Sequence, residues 1–316
     1  MKKQSFEHMY NAMFHGKYSF SDFLNCDIDS EYTTINLRDR VIYSSSKKLK
    51  DFHKFLNLFI FDFLHISIDS VFSYRKGYNV VDAVQMHKNG KYFFQSDIVD
   101  FFPSIHENLV KSTLKHSLES TPILDLDKYL DLIIKLTMIN NNLPIGFSTS
   151  PLISNAVLLD FDEEILSYCR KKNIQYSRYS DDIIFSAENI EEIIEVPIVV
   201  EKCLISHYNN TFKINKSKSK IKHIGGKVKI LGMVIMPNGS LTIDSKLKNI
   251  IETLLHLYRT DKQKLKEISE NDLENGIKKI TNYLNYINAV DANYLLKLKK
   301  KYGPAIIDYF IHKKRN

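Results

Sequence analysis

Two adjacent acidic residues, Asp181 and Asp182, stand inside an otherwise apolar and aromatic stretch, IQYSRYSDDIIFSA at residues 174–187. The β-rich runs on either side of them predict a hairpin with the acids at its turn. Neighbouring carboxylates repel each other in a partly apolar place unless a cation neutralises them. A solvated turn is the alternative interpretation, since adjacent acids are common in turns. The stretch therefore predicts a hairpin that presents paired carboxylates.

A third acid, Asp97, lies in the aromatic and β-branched stretch 91–102, whose first half we predict to form a strand that ends at the acids. Ligand sets made only of oxygen select a hard ion such as Mg²⁺. Two such ions about 3.5–4 Å apart can activate an attacking hydroxyl and stabilise a leaving pyrophosphate in an in-line displacement. A strand-borne Asp97 beside the hairpin acids would hold two Mg²⁺ ions rigidly.

The remainder of the chain is predicted to be mostly helical. Asn79 or Asp82 can cap a short helix after Gly77, and Asn238-Gly239 is the strongest hairpin-turn signal. We predict helices over 47–67, 106–119, 124–140, 152–172 and 190–207, a loop over 143–151, short strands within 211–243, and basic helices over 244–312.

Charge is divided unevenly along the 316 residues. The net charge of +7 combines 22 basic and 9 acidic residues from position 213 onward with 22 basic and 28 acidic residues before it. An acidic front and a basic back favour a polyanionic partner held by the C-terminal third, with a solubility surface as the alternative. Three scattered cysteines show no zinc spacing. The polar N-terminus and the absence of a long apolar stretch predict a cytoplasmic protein without membrane contact.

Six segments in order resemble the motifs of reverse transcriptases, and the resemblance spans about residues 36–310. Tyr179-Ser180-Asp181-Asp182 resembles their Y-x-D-D motif, and residues 96–104 resemble the acidic strand motif before it. Residues 143–151 with Ser154-Asn155 are similar to the template-side glycine motif. Residues 40–43 with Lys48 and Lys50 resemble the fingers motif. Residues 214–218 resemble the next palm motif, and residues 229–235 resemble the primer-grip strand. Among bacterial families the chain most resembles retron reverse transcriptases.

The resemblance implies an α+β right-hand polymerase, with fingers and palm over residues 1–240 and a basic helical thumb over 241–316. It implies that Asp97, Asp181 and Asp182 bind metal, with the backbone carbonyl of Ile98 completing one site. Asp182 can sit further from the metals than Asp181.

Other roles are implied for residues around these acids. Phe102 takes the place of the sugar gate that favours deoxynucleotides. Arg40, or Arg38 or Lys48, would contact the triphosphate, and Lys218 would neutralise pyrophosphate. Gly146 would allow close approach to template and nucleotide. Ser148 and Thr149 would contact the template backbone or cap the next helix, and Tyr179 would brace the primer or pack across the hairpin.

The implied function is RNA-directed DNA synthesis with two Mg²⁺ ions and deoxynucleoside triphosphates. In retrons a structured noncoding RNA is both template and 2′-OH primer, the product is RNA-linked single-stranded DNA (msDNA), and an associated effector protein is restrained until phage infection. Two alternatives stand beside this: a defence-associated or abortive-infection reverse transcriptase with different priming, and a non-catalytic RNA-binding scaffold.

Overall fold

The computed structural model of the protein describes residues 3–37 and 40–312. About 54% of the chain is helical and 16% is strand, in agreement with the predicted α+β class. In the described part of the chain, none of the helices combines the length and the hydrophobicity that crossing a lipid bilayer requires.

The N-terminal quarter packs helices against a two-stranded antiparallel hairpin. Its elements are α1 (Phe6–Phe14), α2 (Phe20–Leu24), β1 (Tyr32–Leu37), β2 (Arg40–Ser45), α3 (Lys47–Phe59) and α4 (Val80–Gln85). The helix predicted over 47–67 ends at Phe59, because the backbone leaves the helical region at Ile60 and only a short 3₁₀ turn follows. The predicted cap of α4 is confirmed, since Asn79 and Asp82 form a reciprocal capping box.

A four-stranded antiparallel sheet lies at the centre of the molecule. Its strands are β3 (Tyr92–Asp97), β4 (Gln175–Tyr179), β5 (Asp182–Ala187) and β6 (Lys220–His223), in the order β4-β5-β3-β6. Both the predicted strand before Asp97 and the predicted hairpin around the acid pair are confirmed.

Helices pack against this sheet. They are α5 (Phe101–Ser104), α6 (Glu107–Ser117), α7 (Leu130–Thr137), α8 (Ser150–Val157), α9 (Leu159–Lys171), α10 (Ile190–Ile193) and α11 (Val196–Tyr208). The single helix predicted over 152–172 is two helices, because the backbone leaves helical geometry at Leu158. The predicted helix over 190–207 is likewise divided, between α10 and α11.

A small three-stranded antiparallel sheet connects this core to the C-terminal helices. It contains β7 (Val228–Ile230), β8 (Met233–Ile235) and β9 (Leu241–Ile243). Asn238-Gly239 lies in the β8–β9 turn, as predicted. The prediction of one primer-grip strand over 229–235 is wrong: Leu231 and Gly232 both have positive φ and form a tight turn between β7 and β8.

Five helices follow in the described part of the chain: α12 (Ser245–Thr260), α13 (Lys262–Glu267), α14 (Leu273–Val290), α15 (Ala292–Tyr302) and α16 (Pro304–His312). Their apolar faces form a separate hydrophobic cluster between Ile243 and Phe310, whereas the main core draws on residues between Phe6 and Ile214. The boundary at residue 240 stays a prediction.

Candidate active site

An open cavity of about 480 Å³ lies between the β1–β2 hairpin, the end of β3 and the loop that precedes α8. Six of the residues singled out in the sequence line it: Arg40, Asp97, Ile98, Phe102, Asp181 and Lys218. These residues come from four separate stretches of chain, so the fold brings together most of the predicted chemistry.

The central sheet fixes the three aspartates at one end. Asp97 ends β3 directly opposite Asp182 of β5, and Asp182 pairs in turn with Tyr179 of β4. The backbone N–H of Ile98 donates a hydrogen bond of 3.0 Å to the carbonyl oxygen of Asp181. The two strand ends are therefore tied together at the residues expected to bind metal.

The charge of Asp97 is only partly compensated by the protein. Lys218 Nζ donates to Asp97 Oδ2 at 2.9 Å, and Asn215 Nδ2 lies 3.4 Å from the same oxygen. Asp97 Oδ1 is buried and has no hydrogen-bond partner among the described residues. Such an oxygen is costly without a donor or a cation. The Lys218 ammonium therefore occupies one side of a site whose other side still lacks a positive partner, which fits a divalent cation.

Asp182 differs from the other two aspartates. It is half-buried on β5 and does not belong to the cavity lining that includes Asp97 and Asp181. Burial, followed by the negative charges of Asp181 and Asp97, raises the pKa of Asp182 to about 6, and Lys218 opposes the shift. That Asp182 sits further from bound metal than Asp181 stays a prediction.

Gly146 is required by a contact within the protein. Its φ is +110°, and a Cβ atom there would lie 2.4 Å from the carbonyl oxygen of Tyr43 on β2. A backbone hydrogen bond joins the same two segments, since the Tyr43 N–H donates to the carbonyl oxygen of Ile145 at 2.8 Å. Gly146 thus lets the loop before α8 pack closely on the β1–β2 hairpin.

The predicted template residues divide between surface and core. Ser148 is exposed, and its carbonyl accepts a hydrogen bond from Asn57 at 3.0 Å. Thr149 is fully buried, its hydroxyl has no partner among the described residues, and it makes no side-chain cap on α8. The predicted helix cap by Thr149 is therefore not formed, and its contact with the template backbone stays a prediction.

Two further expectations concern Tyr179 and the two arginines, Arg38 and Arg40, that were expected to contact the triphosphate. Tyr179 is half-buried at the end of β4, opposite Asp182. Arg40 is exposed at the start of β2 and lines the cavity. Arg38 lies outside the described residues.

Sequence reasoning missed the buried residues behind the hairpin. Arg178 is fully buried and forms an ion pair of 2.6 Å with Asp162, which is also fully buried. Burial by itself would lower the pKa of Arg178, but the Asp162 carboxylate raises that pKa by more. The net shift is upward, so the guanidinium stays charged. The available signal was a charged residue on the apolar face of each element, Asp162 on α9 and Arg178 in β4.

A second polar group lies between α9 and α11, away from the cavity. Ligand atoms of Glu164, Cys203 and His207 fall within 4.8 Å of one another, which sequence spacing did not indicate. His207 Nε2 and Glu164 Oε2 form an ion pair of 2.7 Å, and burial raises the pKa of Cys203 to about 12. A protonated thiol beside a satisfied ion pair does not by itself require a metal.

The cavity, the metal-compatible aspartates and the antiparallel sheet are those of a nucleic-acid polymerase palm. Comparison with known families agrees: the family described as reverse transcriptase (RNA-dependent DNA polymerase) matches residues 35–235. The chain belongs to the reverse transcriptase family. It is an RNA-directed DNA polymerase with the predicted right-hand fold, and this family generally uses divalent metal ions.

Similarity to curated proteins narrows the assignment to the retron type. The chain is 30% identical over 273 residues to the retron Ec73 reverse transcriptase of Escherichia coli, covering 83% of each. It is 26% identical over 276 residues to the Escherichia coli retron Ec83 reverse transcriptase, covering 85% of this chain and 84% of that one.

Solved structures agree on the fold alone. A Candida tropicalis telomerase in complex with a fragment of telomeric RNA is 12% identical, with a TM-score of 0.50, over 86% of this chain. This chain spans 54% of that telomerase.

Proposed function

We propose that the protein copies a structured noncoding RNA into RNA-linked single-stranded DNA (msDNA), with an internal 2′-OH of that RNA as primer. The observation that carries the proposal is the convergence of Asp97, Asp181 and Lys218 on one cavity, with Asp97 Oδ1 buried and unpartnered. Similarity to retron reverse transcriptases over more than four-fifths of the chain supports the retron form of the reaction.

The acids of the cavity are proposed to hold two Mg²⁺ ions. Asp97, Asp181 and Asp182 would hold the ions, and the backbone carbonyl of Ile98 would complete one site. When bound, such ions activate the attacking hydroxyl and stabilise the leaving pyrophosphate. Lys218, whose ammonium already lies 2.9 Å from Asp97 Oδ2 at the cavity, would neutralise the pyrophosphate oxygens.

The remaining cavity residues are proposed to select and orient the nucleotide. Arg40 is exposed at the cavity and would grip the triphosphate with two hydrogen bonds. Phe102 is half-buried on α5, and its ring would exclude a 2′-OH on the incoming sugar. Gly146, which has no Cβ, would allow its backbone to approach template and nucleotide closely.

Contacts to the nucleic acid are proposed on both sides of the cavity. The exposed Ser148 would touch the template backbone and Tyr179 the primer end. The basic helices α12–α16 would hold the RNA–DNA duplex by its phosphates, since such contacts depend on charge and are independent of sequence. The proposal extends to a cytoplasmic role in antiphage defence with an associated effector protein.

Sequencing the nucleic acid that co-purifies with the protein tests the proposal. We expect DNA complementary to one noncoding RNA and joined to it through a 2′–5′ linkage. DNA of simple repeats or of random sequence would instead indicate a defence reverse transcriptase with another mode of priming. RNA without any DNA, from cells supplied with the intact protein, would indicate an RNA-binding scaffold.

A further inference from the structure

The turn that carries Asp181 is hydrogen-bonded to a network of buried polar side chains. Ser180, the residue before Asp181, has a φ of +60°, a conformation that costs a non-glycine residue about 1–2 kcal/mol. All three of its polar groups are bonded to other parts of the chain. Its N–H donates to Ser73 Oγ at 2.8 Å, its carbonyl accepts from Arg178 Nη1 at 3.1 Å, and its hydroxyl accepts from Tyr74 at 3.1 Å.

Arg178 lies at the centre of this network and uses its full donor capacity. A guanidinium has five N–H donors in a fixed planar fork. Nε donates to Asp162, Nη1 to Asn155 Oδ1 and to the Ser180 carbonyl, and Nη2 to the Asn155 carbonyl and to Asp162. Because every donor is occupied and the residue is fully buried, the guanidinium has one available position.

Three further segments lock the same network. Asn155 is buried on α8 and donates from Nδ2 to the Ser73 carbonyl at 2.8 Å, while Ser73 Oγ donates to Asn155 Oδ1 at 3.2 Å. Asp162 on α9 also accepts from the Tyr176 hydroxyl at 2.7 Å. The segment at residues 70–72 pairs with Arg178 through backbone bonds of 2.8 and 3.1 Å. The turn is therefore fixed by α8, α9 and the 70–74 segment together.

None of these residues lines the cavity. Their effect on chemistry is exerted through Ser180 on the next residue, Asp181, whose carbonyl is tied to Ile98 beside Asp97. We propose that Arg178, Asn155, Asp162 and Ser73 are positioning residues that hold the strained Ser180 turn and thereby set the Asp181 carboxylate against Asp97 for metal binding. This inference rests on the proposed polymerase site.

The mildest test removes one hydrogen bond to the turn. Ser73→Ala deletes the acceptor of the Ser180 N–H and leaves the Arg178–Asp162 pair in place. Ser70→Ala is the matched control, because Ser70 is equally buried in the same segment but its hydroxyl donates to Ser67 Oγ and not to the turn. Arg178→Lys is a stronger variant, which keeps the charge but has three donors in place of five.

Primer extension on a supplied RNA template, titrated with Mg²⁺, gives the readout. We expect Ser73→Ala to lower kcat about tenfold and to raise the Mg²⁺ concentration at half-maximal rate several-fold, since small displacements of catalytic groups cost one to two orders of magnitude in rate. RNA affinity and melting temperature should match those of Ser70→Ala. Arg178→Lys should show the same shift in Mg²⁺ dependence, more strongly, wherever its melting temperature shows it to be folded.

Two outcomes separate this inference from the proposed function. Equal kcat and equal Mg²⁺ dependence in Ser73→Ala and Ser70→Ala, with an active wild-type protein, would overturn the positioning role alone. A wild-type protein that extends no primer at any Mg²⁺ concentration would overturn the polymerase site on which the inference rests.

Discussion

His87 has a structural role inside the protein. A histidine just before the acidic strand could contact RNA, yet it is fully buried, with Nδ1 bonded to Ser186 and Nε2 to Ser177 at 2.8 Å each. Burial lowers the pKa of His87 to about 3. Its role is to join β4 and β5 behind the catalytic hairpin.

This burial predicts a loss of stability in acid. Below pH 6.5 the unfolded chain protonates His87 while the folded protein does not, so the free energy of unfolding falls as pH drops from about 6.5 towards 3. The expected slope is about 1.4 kcal/mol per pH unit for each such histidine. His53, whose pKa burial lowers to about 4, should add a second contribution.

Urea unfolding between pH 7 and 5 measures this effect. His87→Gln should reduce the slope of unfolding free energy against pH by the contribution of one histidine. The double variant with His53→Gln and His87→Gln should reduce this slope by the contributions of two histidines. Comparison between variants isolates the histidines from the acids that titrate in the same range, such as Asp182. Identical slopes in all three proteins would refute the assignment.

The candidate metal-binding residues were the most predictable part of the molecule. Asp97, Asp181 and Asp182 stand out because carboxylates in apolar strands need a cation, and motif order assigned them together. Arg178 and Asp162 could not be paired from the sequence, because their contact depends on how α9 packs on β4. The burial of Thr149 was equally inaccessible, since a hydroxyl in a loop looks the same whether it faces water or the core.

At the scale of secondary-structure elements, local sequence signals predicted which helices and turns exist better than they predicted where each helix or strand begins and ends. The capping box at Asn79 and the turn at Asn238-Gly239 act within four residues, and both are confirmed. The break at Leu158 and the turn at Leu231-Gly232 arise where the chain changes packing partner, which residue periodicity does not record.

Gly146 provides a test of how the loop before α8 is held against the β1–β2 hairpin. Gly146→Ala combines a positive φ with a collision at the Tyr43 carbonyl, so we expect it to cost at least 2 kcal/mol more than a glycine replacement in open space. Gly16→Ala is the control, since Gly16 has a φ of +81° but no atom within 4 Å of the added Cβ. Equal unfolding free energies for the two variants would show that the close approach does not matter.

At the scale of the whole molecule, the structure shows where the basic residues of the C-terminal third lie. The basic residues after position 213 fall largely on α12–α16, although several are already paired. Lys299 bonds to Asp308 at 2.7 Å, and Lys279 and Lys248 also have acidic partners. Lys297 and Lys300 on α15 are exposed and have no ion pair among the described residues, which leaves them available to phosphates.

These two lysines predict the salt dependence of RNA–DNA binding. Lys297→Ala with Lys300→Ala should weaken binding and flatten the plot of log affinity against log salt by about 0.7–0.9 per lost phosphate contact. Lys279→Ala with Lys299→Ala is the control, because those lysines are occupied by Glu270 and Asp308. An unchanged salt slope in the first variant would place the duplex elsewhere.

The central claim is that the cavity aspartates bind the metals for DNA synthesis, and Asp181→Asn tests it most directly. Asp100→Asn is the control, because Asp100 lines the same cavity, is exposed, and has a φ of +46° that asparagine tolerates. We measure RNA-templated DNA synthesis and co-purifying RNA for both variants. The account predicts no DNA from Asp181→Asn, with RNA still bound, and substantial DNA from Asp100→Asn. Undiminished synthesis by Asp181→Asn would contradict it.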